Sequence, residues 1–410
     1  MNKILWKSDD YFVAQPNDLF RNAKRTKEKA FPQKNLTAQN RTQTPMKTNA
    51  SLLRRLAAST ALMLAAATQT SFAQTTATTD PVGFITLNVS GGGTTSAPKT
   101  SLVSPTLTNP VLWQGLITNI TTSGNTNTIT VSGTPWTANQ FNGVPPFPPN
   151  ILVTHYVEII ATATPPSAAV SGTLADITAT TTSTITTGQL TSAGIGDTIK
   201  IRKDVTISDL FGATNSAGLL ATGDASTADE VLIYNFANKT QYYYYDGSFG
   251  GAAGWYDLAF NPSGNVTIAP NDAVVIRRKA NAPVSVVFSG AVKTGNTLIP
   301  IANGLNVLGT ASAMGLTLNT SGLYTGSSVT GVLASGDAST ADQIILYSNG
   351  GATQTSYYYY DGSFGGAAGW YDLAFNAAGN IAIAPGTAFV LKRFGGGAAF
   401  NWVLPSPTSF

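Results

Sequence analysis

The 410-residue sequence predicts an all-β fold of duplicated antiparallel β-meander units, sandwich-like or half-barrel in form, behind a signal peptide. Short β-branched and aromatic runs alternate with turn residues, and no long segment keeps the i, i+3, i+4 apolar spacing of a helix. In addition, the run YYYYDGSFGGAAGWYDLAFN occurs twice, at Tyr242–Asn261 and at Tyr357–Asn376. An identical match of this length indicates that one structural unit has been copied.

The copied unit is longer than the identical run. The motif GDASTAD begins at Gly223 and again at Gly336, and the units close on the basic pairs Arg277–Arg278 and Lys392–Arg393. The pattern of the first copy predicts four strands, over 230–235, 240–245, 255–260 and 273–278. Because short turns join most of these strands, we expect a four-stranded meander in each copy. The basic pairs either neutralise nearby acids or form a small basic rim.

The beginning of the chain has the pattern of a secretory signal peptide. A basic segment from Lys47 to Arg55 precedes an apolar stretch from Leu56 to Ala67, and small residues follow from Ser71 to Ala73. The apolar stretch is shorter than the roughly 20 residues that a transmembrane helix needs. We therefore expect a signal peptide over 46–73 and a spurious or disordered extension over 1–45. The protein is expected to be exported to the periplasm, the outer surface or the extracellular space.

Three further regions are expected after the signal peptide: an N-terminal β-rich region over 74–205 and repeat units over 206–295 and 296–410. Without residues 1–73 the chain keeps 11 basic and 16 acidic residues. This acidic balance argues against nucleic acid as a partner, because phosphates are met by clustered Lys and Arg. No transmembrane span is expected in the mature chain. Since the sequence has no cysteine, packing and strand pairing must hold the fold without disulfides.

The composition also restricts the catalytic chemistry. With no cysteine and a single histidine, His155, thiol–imidazole catalysis and a His-rich metal site are excluded. Paired carboxylates are the remaining option, since Asp246 and Asp257 flank one glycine-rich loop and Asp361 and Asp372 flank the other. The alternative is that these aspartates stabilise turns through their own backbone. The sequence favours a non-enzymatic protein.

Calcium is the cofactor that the sequence allows. Hard cations take oxygen ligands, and several aspartates recur in both units. Their spacing matches neither the EF-hand loop nor the calcium-binding nonapeptide repeat, and they serve equally well as loop-capping residues. No other cofactor is expected. The calcium candidates are Asp224, Asp229, Asp246, Asp337, Asp342 and Asp361.

The aromatic residues are the candidate ligand-binding residues. Consecutive side chains of a strand point to opposite faces, so four adjacent tyrosines are all buried only where both faces are covered. One interpretation is an exposed aromatic platform for sugar rings or a partner surface, present once per unit and able to bind with avidity. The other is cross-strand packing inside the sheet. The candidates are Tyr242, Tyr244, Trp255, Tyr256, Tyr357, Tyr359, Trp370 and Tyr371.

Several of these motifs together resemble a known family. They are GDASTAD, the tyrosine cluster, GWY, the closing segment Ile383–Arg393, the start Asp80–Phe84 and the strand His155–Ile159. In this combination the chain resembles a family of exported proteins of verrucomicrobial bacteria, over most of the sequence after residue 73. The resemblance implies an exported compartment rather than a particular chemistry. The extension over 1–45 departs from it.

The sequence therefore leads to one functional hypothesis and two alternatives. We expect an exported, non-enzymatic, structural or adhesive protein of the cell surface or periplasm, whose partners are surface polysaccharide or other envelope proteins. The first alternative is a carbohydrate-binding module that uses the Tyr/Trp platform of each repeat. The second is a hydrolase that uses the paired aspartates.

Overall fold

The computed structural model describes residues 80–142, 144–147, 150–152, 154–162, 171–190, 193–235, 238–348, 351, 353–394 and 398–405. The expected extension 1–45 and signal peptide 46–73 lie outside these residues. Antiparallel strands dominate the described part of the chain, so the all-β class is confirmed. No described helix is both long and apolar enough to span a bilayer.

The described strands are numbered in chain order. The first eleven are β1 (Val82–Val89), β2 (Lys99–Val103), β3 (Leu107–Thr108), β4 (Val111–Ser123), β5 (Thr126–Val131), β6 (Val144–Phe147), β7 (Asn150–Leu152), β8 (His155–Ala161), β9 (Leu174–Thr180), β10 (Thr184–Gly188) and β11 (Thr198–Lys203). Next come β12 (Val205–Thr206), helix α1 (Ile207–Phe211), β13 (Glu230–Asn235), β14 (Asn238–Tyr245), β15 (Gly254–Asp257), β16 (Thr267–Ile268), β17 (Ala273–Arg278) and β18 (Val284–Val292). The last are β19 (Thr297–Ile301), β20 (Gly304–Leu308), β21 (Leu316–Thr317), β22 (Gln343–Ser348), β23 (Thr353–Tyr360), β24 (Gly369–Asp372), β25 (Ala382–Ile383), β26 (Phe389–Arg393) and β27 (Phe400–Leu404).

A closed barrel occupies the middle of the expected N-terminal region. Its strands follow the order β10-β5-β4-β11-β8-β9, and β6 pairs separately with β7. Alternate residues of these strands point inward and build a core of Ile and Val side chains, including Ile129, Val157 and Ile199. Closure leaves the barrel strands with hydrogen-bonding neighbours on both sides, which removes exposed strand edges.

The two repeats form sheets of the same strand order. In the first unit the order is β15-β14-β13-β17-β2, and in the second it is β24-β23-β22-β26-β20. The pairing register also agrees, because Tyr242 lies opposite Asp257 and Tyr357 lies opposite Asp372. Three consecutive strands of each unit form a meander. The fourth, β17 or β26, returns beside the first of the three, which gives the spatial order of a Greek key.

Each of these sheets packs against a second sheet across an apolar core. In the first unit β1 and β18 pair along their length and place Leu87, Val286 and Phe288 against residues of β13 and β17. In the second unit β19 and β27 place Ile299 and Trp402 against β22 and β26. Two facing sheets with one shared core are the arrangement of a β-sandwich.

The barrel is inserted into the first sandwich. Strand β2 pairs with β17, and β1 pairs with β18, although β1 and β2 precede the barrel and β17 and β18 follow it. Strands from the expected region 74–205 thus complete the sheets of the expected unit 206–295. The chain leaves the sandwich after β3, forms the barrel, and returns through β12 and α1.

A buried network of charges joins the barrel to the first sandwich. Glu158 of β8 accepts from Lys293 at 2.6 Å and lies 3.5 Å from Arg202, while Asp80 pairs with Lys200 at 2.8 Å and with Arg202. All five side chains are nearly inaccessible to solvent. Burial alone would raise the pKa of Asp80, but Lys200 and Arg202 lower it. These contacts hold charges of opposite sign together where water cannot neutralise them.

The Glu158→Gln variant is expected to lose about 3–5 kcal/mol of unfolding free energy, because it leaves buried cations without their anion. Urea denaturation measures this loss. The matched control is Lys203→Gln, since Lys203 pairs with Asp209 at 3.3 Å on the surface with 45% of its side chain exposed. That change should cost about 1 kcal/mol or less. Equal losses in the two variants would contradict the role assigned to the buried network.

Candidate functional site

The tyrosines of β14 are buried on both faces of the strand. Tyr242 and Tyr244 face the sandwich core with exposures of 7% and 9%. Tyr243 and Tyr245 pack on the opposite face, where the GDASTAD loop covers them. The exposed platform of Tyr242, Tyr244 and Trp255 is therefore wrong. Cross-strand packing is what the structure shows, because a loop from elsewhere in the chain supplies the second cover.

Both repeat tryptophans occupy equivalent core positions. Trp255 is 3% exposed, meets Tyr244 edge to face at 5.3 Å, and donates its indole N–H to the Gly212 carbonyl at 2.9 Å. Trp370 is also 3% exposed and meets Tyr359 in the same geometry at 5.5 Å. These rings hold the sheets together and are not available to a ligand.

The remaining aromatic candidates differ in exposure. Tyr357 is buried in the second core, and Tyr359 is half-buried against Tyr324, with ring centroids 3.4 Å apart. Tyr256 and Tyr371 are half-exposed at the sheet edge. Of the eight candidates, these last two contribute to the surface described next.

Each unit exposes the same three apolar side chains, and we call this set of residues the apolar tip of the unit. The first tip consists of Phe249, Leu258 and Phe260, which are 82%, 62% and 48% exposed. The second consists of Phe364, Leu373 and Phe375, which are 83%, 60% and 50% exposed. All six residues belong to the identical twenty-residue runs, and the structure places them in nearly the same surroundings.

Tyrosine hydroxyl groups fix the loop that carries the first residue of each tip. The Tyr245 hydroxyl donates to the Gly250 carbonyl at 2.6 Å and accepts from the Phe249 N–H at 2.9 Å. The Tyr360 hydroxyl makes the same two bonds, at 2.7 and 2.8 Å, in the second unit. Gly250 and Gly251 have φ of 92° and 89°, a conformation that side chains other than glycine rarely adopt. The exposed phenylalanine is therefore held in place by the buried tyrosine beneath it.

The GDASTAD motif supports the same loop from the side. A methyl group on Gly223 would collide with the Phe249 ring and the Ser248 hydroxyl, and one on Gly336 would collide with Phe364 in the same way. Both glycines thus lie in close contact with the phenylalanine ring and the serine hydroxyl. The two motifs that recur in the sequence are in contact in the folded chain.

The last residue of each tip has a strained backbone. Phe260 and Phe375 both have φ of 63°, which for a bulky side chain is an outlier that costs about 1–3 kcal/mol. Their rings stack on Tyr256 at 4.3 Å and on Tyr371 at 4.4 Å. Ring stacking thus ties each strained residue to the tyrosine of the neighbouring strand.

The aspartates of the loops stabilise their own turns. Asp257 accepts from the Ala259 and Asn261 N–H groups at 2.9 and 2.8 Å, and Asp372 makes the equivalent bonds. Asp246 accepts from the Ser248 N–H at 2.9 Å, as Asp361 does from Ser363. Hydrogen bonds from Ser248 lower the pKa of Asp246, and those from Asn376 lower that of Asp372. The carboxylates are engaged locally, which is the turn alternative that the sequence left open.

The calcium candidates do not gather around one point. Asp224 and Asp337 close turns on Ser226 and Ser339, both at 2.8 Å, whereas Asp229 and Asp342 pair with Arg278 and Arg393. Nowhere among the described residues do three His, Asp or Glu side chains come close enough to hold one metal ion. The six calcium candidates therefore do not form a shared cluster of carboxylates in the described chain.

An open groove of about 410 Å³ lies beside the second tip. Its walls include Tyr371, Asn319, Asn380 and Ile381. Aromatic and amide side chains in one groove are suited to a ligand that has both apolar faces and hydroxyl groups. Tyr371 links this groove to the tip, because it stacks on Phe375.

Comparison of the chain with protein-family models, curated proteins and solved structures finds no match. The sequence alone does not predict the apolar tips, because the exposure of a phenylalanine or leucine in a loop depends on tertiary packing. The signal that identifies them is the identical run itself. Its glycines, aspartates, tyrosines and tryptophan have structural roles in the turns and core, whereas Phe249, Leu258 and their copies have no comparable burial.

The Trp255→Ala variant is expected to lose about 3–5 kcal/mol of unfolding free energy, because it opens a cavity in the first core and removes an indole hydrogen bond. The Phe249→Ala variant, which truncates an 82% exposed ring, should change it by about 0.5 kcal/mol or less. Thermal and urea unfolding of both variants provide the measurement. A large loss for Phe249→Ala would show that this ring is structural.

Proposed function

We propose that this chain is an exported, non-enzymatic adhesive protein that binds a surface polysaccharide through its two apolar tips. The observation that supports this most strongly is the exposure of the same three side chains in both units, at nearly equal values. Burying a phenylalanine or leucine side chain stabilises a fold by about 1.5–3 kcal/mol. Leaving six such groups in water, at equivalent positions, is a cost that target binding offsets.

Two equivalent tips favour a target on which the same binding epitope recurs. A polymer offers the same epitope at intervals, so the second tip binds at a high effective concentration once the first is bound. Aromatic rings take the apolar face of a sugar, and the neighbouring turns carry exposed Asp246 and Asp361 as hydrogen-bond acceptors. The signal-peptide pattern over 46–73 supports a target outside the cytoplasm. The non-enzymatic interpretation is supported by the local engagement of the loop carboxylates.

Removal of one of the two tips is expected to lower the apparent affinity by far more than a factor of two. We predict that Phe249→Ser and Phe364→Ser, made singly, lower apparent affinity for insoluble polysaccharide by about 10²–10⁴-fold, because avidity is lost. The double variant should not bind. Depletion assays on cellulose, chitin and β-1,3-glucan particles measure this. The matched control is Phe84→Ser, since Phe84 is 74% exposed on β1 and lies outside the two identical runs.

Equal losses in the Phe84→Ser control, or full binding by the double variant, would contradict the proposal. Capture of envelope proteins by the wild-type chain with no binding to any particle would also contradict it, because the target would then be a protein.

The second candidate is a carbohydrate-binding module with a single groove, and the specific observation in its favour is the groove beside Tyr371. In this case Asn319→Ala and Tyr371→Ala would abolish binding to the same particles, whereas Phe249→Ser would leave it unchanged. The two candidates therefore differ in whether the first unit takes part.

A further inference from the structure

A cavity of about 280 Å³ lies where the barrel and the two repeat units meet. At about 30 Å³ per water molecule, this space equals about nine waters. Its walls combine acidic groups with apolar ones. They include Tyr156 of β8, Asp176 of β9, Asp204 between β11 and β12, Asp272 before β17, and Leu298 and Pro300 of β19.

Two residues of this cavity have buried polar atoms that the protein does not satisfy. Asp204 and Tyr156 are each 3% exposed. Asp204 Oδ1 and Tyr156 Oη have no hydrogen-bond partner. Buried polar atoms are nearly always hydrogen-bonded, and an unmet one costs about 1–3 kcal/mol. These two oxygens come from different parts of the fold, and both lie just beneath the wall of one cavity.

The cavity is also unusual in its charge. No basic side chain of the described chain forms an ion pair with buried Asp204 and Asp272 or with solvent-exposed Asp176, whereas buried Glu158, Asp229 and Asp342 each have such a partner. Lys203 lies next to Asp204 in the chain, but its ammonium group is 3.3 Å from Asp209 at the surface. Buried acids normally have a cation beside them. In this cavity the described part of the protein supplies carboxylates but no cationic partner for them.

The ionisation of the acids reflects this imbalance. Burial, together with the charges of Asp176 and Asp272, raises the pKa of Asp204 well above its usual range, although Lys203 opposes the shift. Burial raises the pKa of Asp272 to about 7, even though its carboxylate accepts from the Ala269 N–H at 2.9 Å. The charged groups that face Asp272 are Asp176 and Asp204, and both are acidic. A cation in the cavity would favour the ionised form of all three.

We propose that this cavity binds a small organic cation, namely a primary ammonium group on a short aliphatic body. An ammonium group has three N–H donors, which the carboxylates of Asp176, Asp204 and Asp272 in the cavity wall can accept. Leu298 and Pro300 provide the apolar wall for the aliphatic body. The described aspartates are not grouped for a metal ion, which favours a cation with carbon attached. This site is independent of the apolar tips.

Isothermal titration calorimetry with n-butylammonium chloride tests the proposal on the full chain. We expect binding at pH 8 and affinity about tenfold weaker at pH 6, because Asp272, with a pKa of about 7, must release its proton before the cation binds. The Asp204→Asn variant should lose at least tenfold in affinity at pH 8. The Asp272→Asn variant should bind more weakly but with little change between the two pH values.

The matched control is Asp246→Asn, which removes the same charge from an exposed turn outside the cavity. Near-UV circular dichroism confirms that each variant is folded, and Asn replaces a protonated aspartate with almost the same shape. Absence of binding by the wild-type chain at pH 8 would overturn the proposal. So would an equal loss in Asp246→Asn, or binding of Ca²⁺ but not of n-butylammonium with dependence on Asp204.

Discussion

The buried carboxylate–guanidinium pair of each repeat unit is the interaction on which the rest of that unit depends. In the second unit Arg393 donates to Asp342 at 2.9 Å, and Asp342 also accepts from the N–H groups of Leu333 and Phe394, both at 2.8 Å. In the first unit Asp229 accepts from Arg278 and from the N–H groups of Leu220 and Lys279. The pair thus ties the loop that precedes one strand to the end of another.

The buried pair fixes the position of the GDASTAD loop more than it increases the free energy of unfolding. Burial raises the pKa of Asp342 despite Arg393 and the two N–H donors, so desolvation of the carboxylate outweighs the attractions. Replacement of a buried ion pair by apolar residues is often neutral, whereas loss of one partner is strongly destabilising. What the pair supplies is the course of the GDASTAD loop. That loop covers Tyr243 and Tyr245, and its first glycine lies under Phe249.

The order of dependence therefore runs from the buried pair to the exposed tip. The pair sets the loop, the loop covers the outer face of the tyrosine strand, and the Tyr245 hydroxyl fixes the glycine-rich loop. The same order recurs with Asp342, Tyr360 and Phe364. The contacts that end on the exposed ring are therefore repeated in both units.

Local sequence patterns predicted four strands in each repeat and the turn of Asp246, but the strand expected over 255–260 ends at Asp257, and the fourth strand lies beside the first instead of completing a meander. Alternation and turn residues are properties of a short segment, so they can be recognised without the fold. The cover over Tyr243 and Tyr245 could not be predicted, because it comes from Ala225 and Ala228, far along the chain from the tyrosines. The insertion of the barrel depends on the pairing of β2 with β17, and the acidic cavity is built from five separate segments. A local sequence pattern gives no information about contacts between residues that are distant in the chain.

A double-mutant cycle on Asp342 and Arg393 tests the central role of the buried pair most directly. The free energy of unfolding would be measured for wild type, Asp342→Asn, Arg393→Gln and the double variant. We predict a coupling energy of about 2–3 kcal/mol, because either single change leaves one buried group without its partner and the second change relieves that cost. Independent sites usually show a coupling energy below about 0.5 kcal/mol. Such a value would contradict the central role of the buried pair.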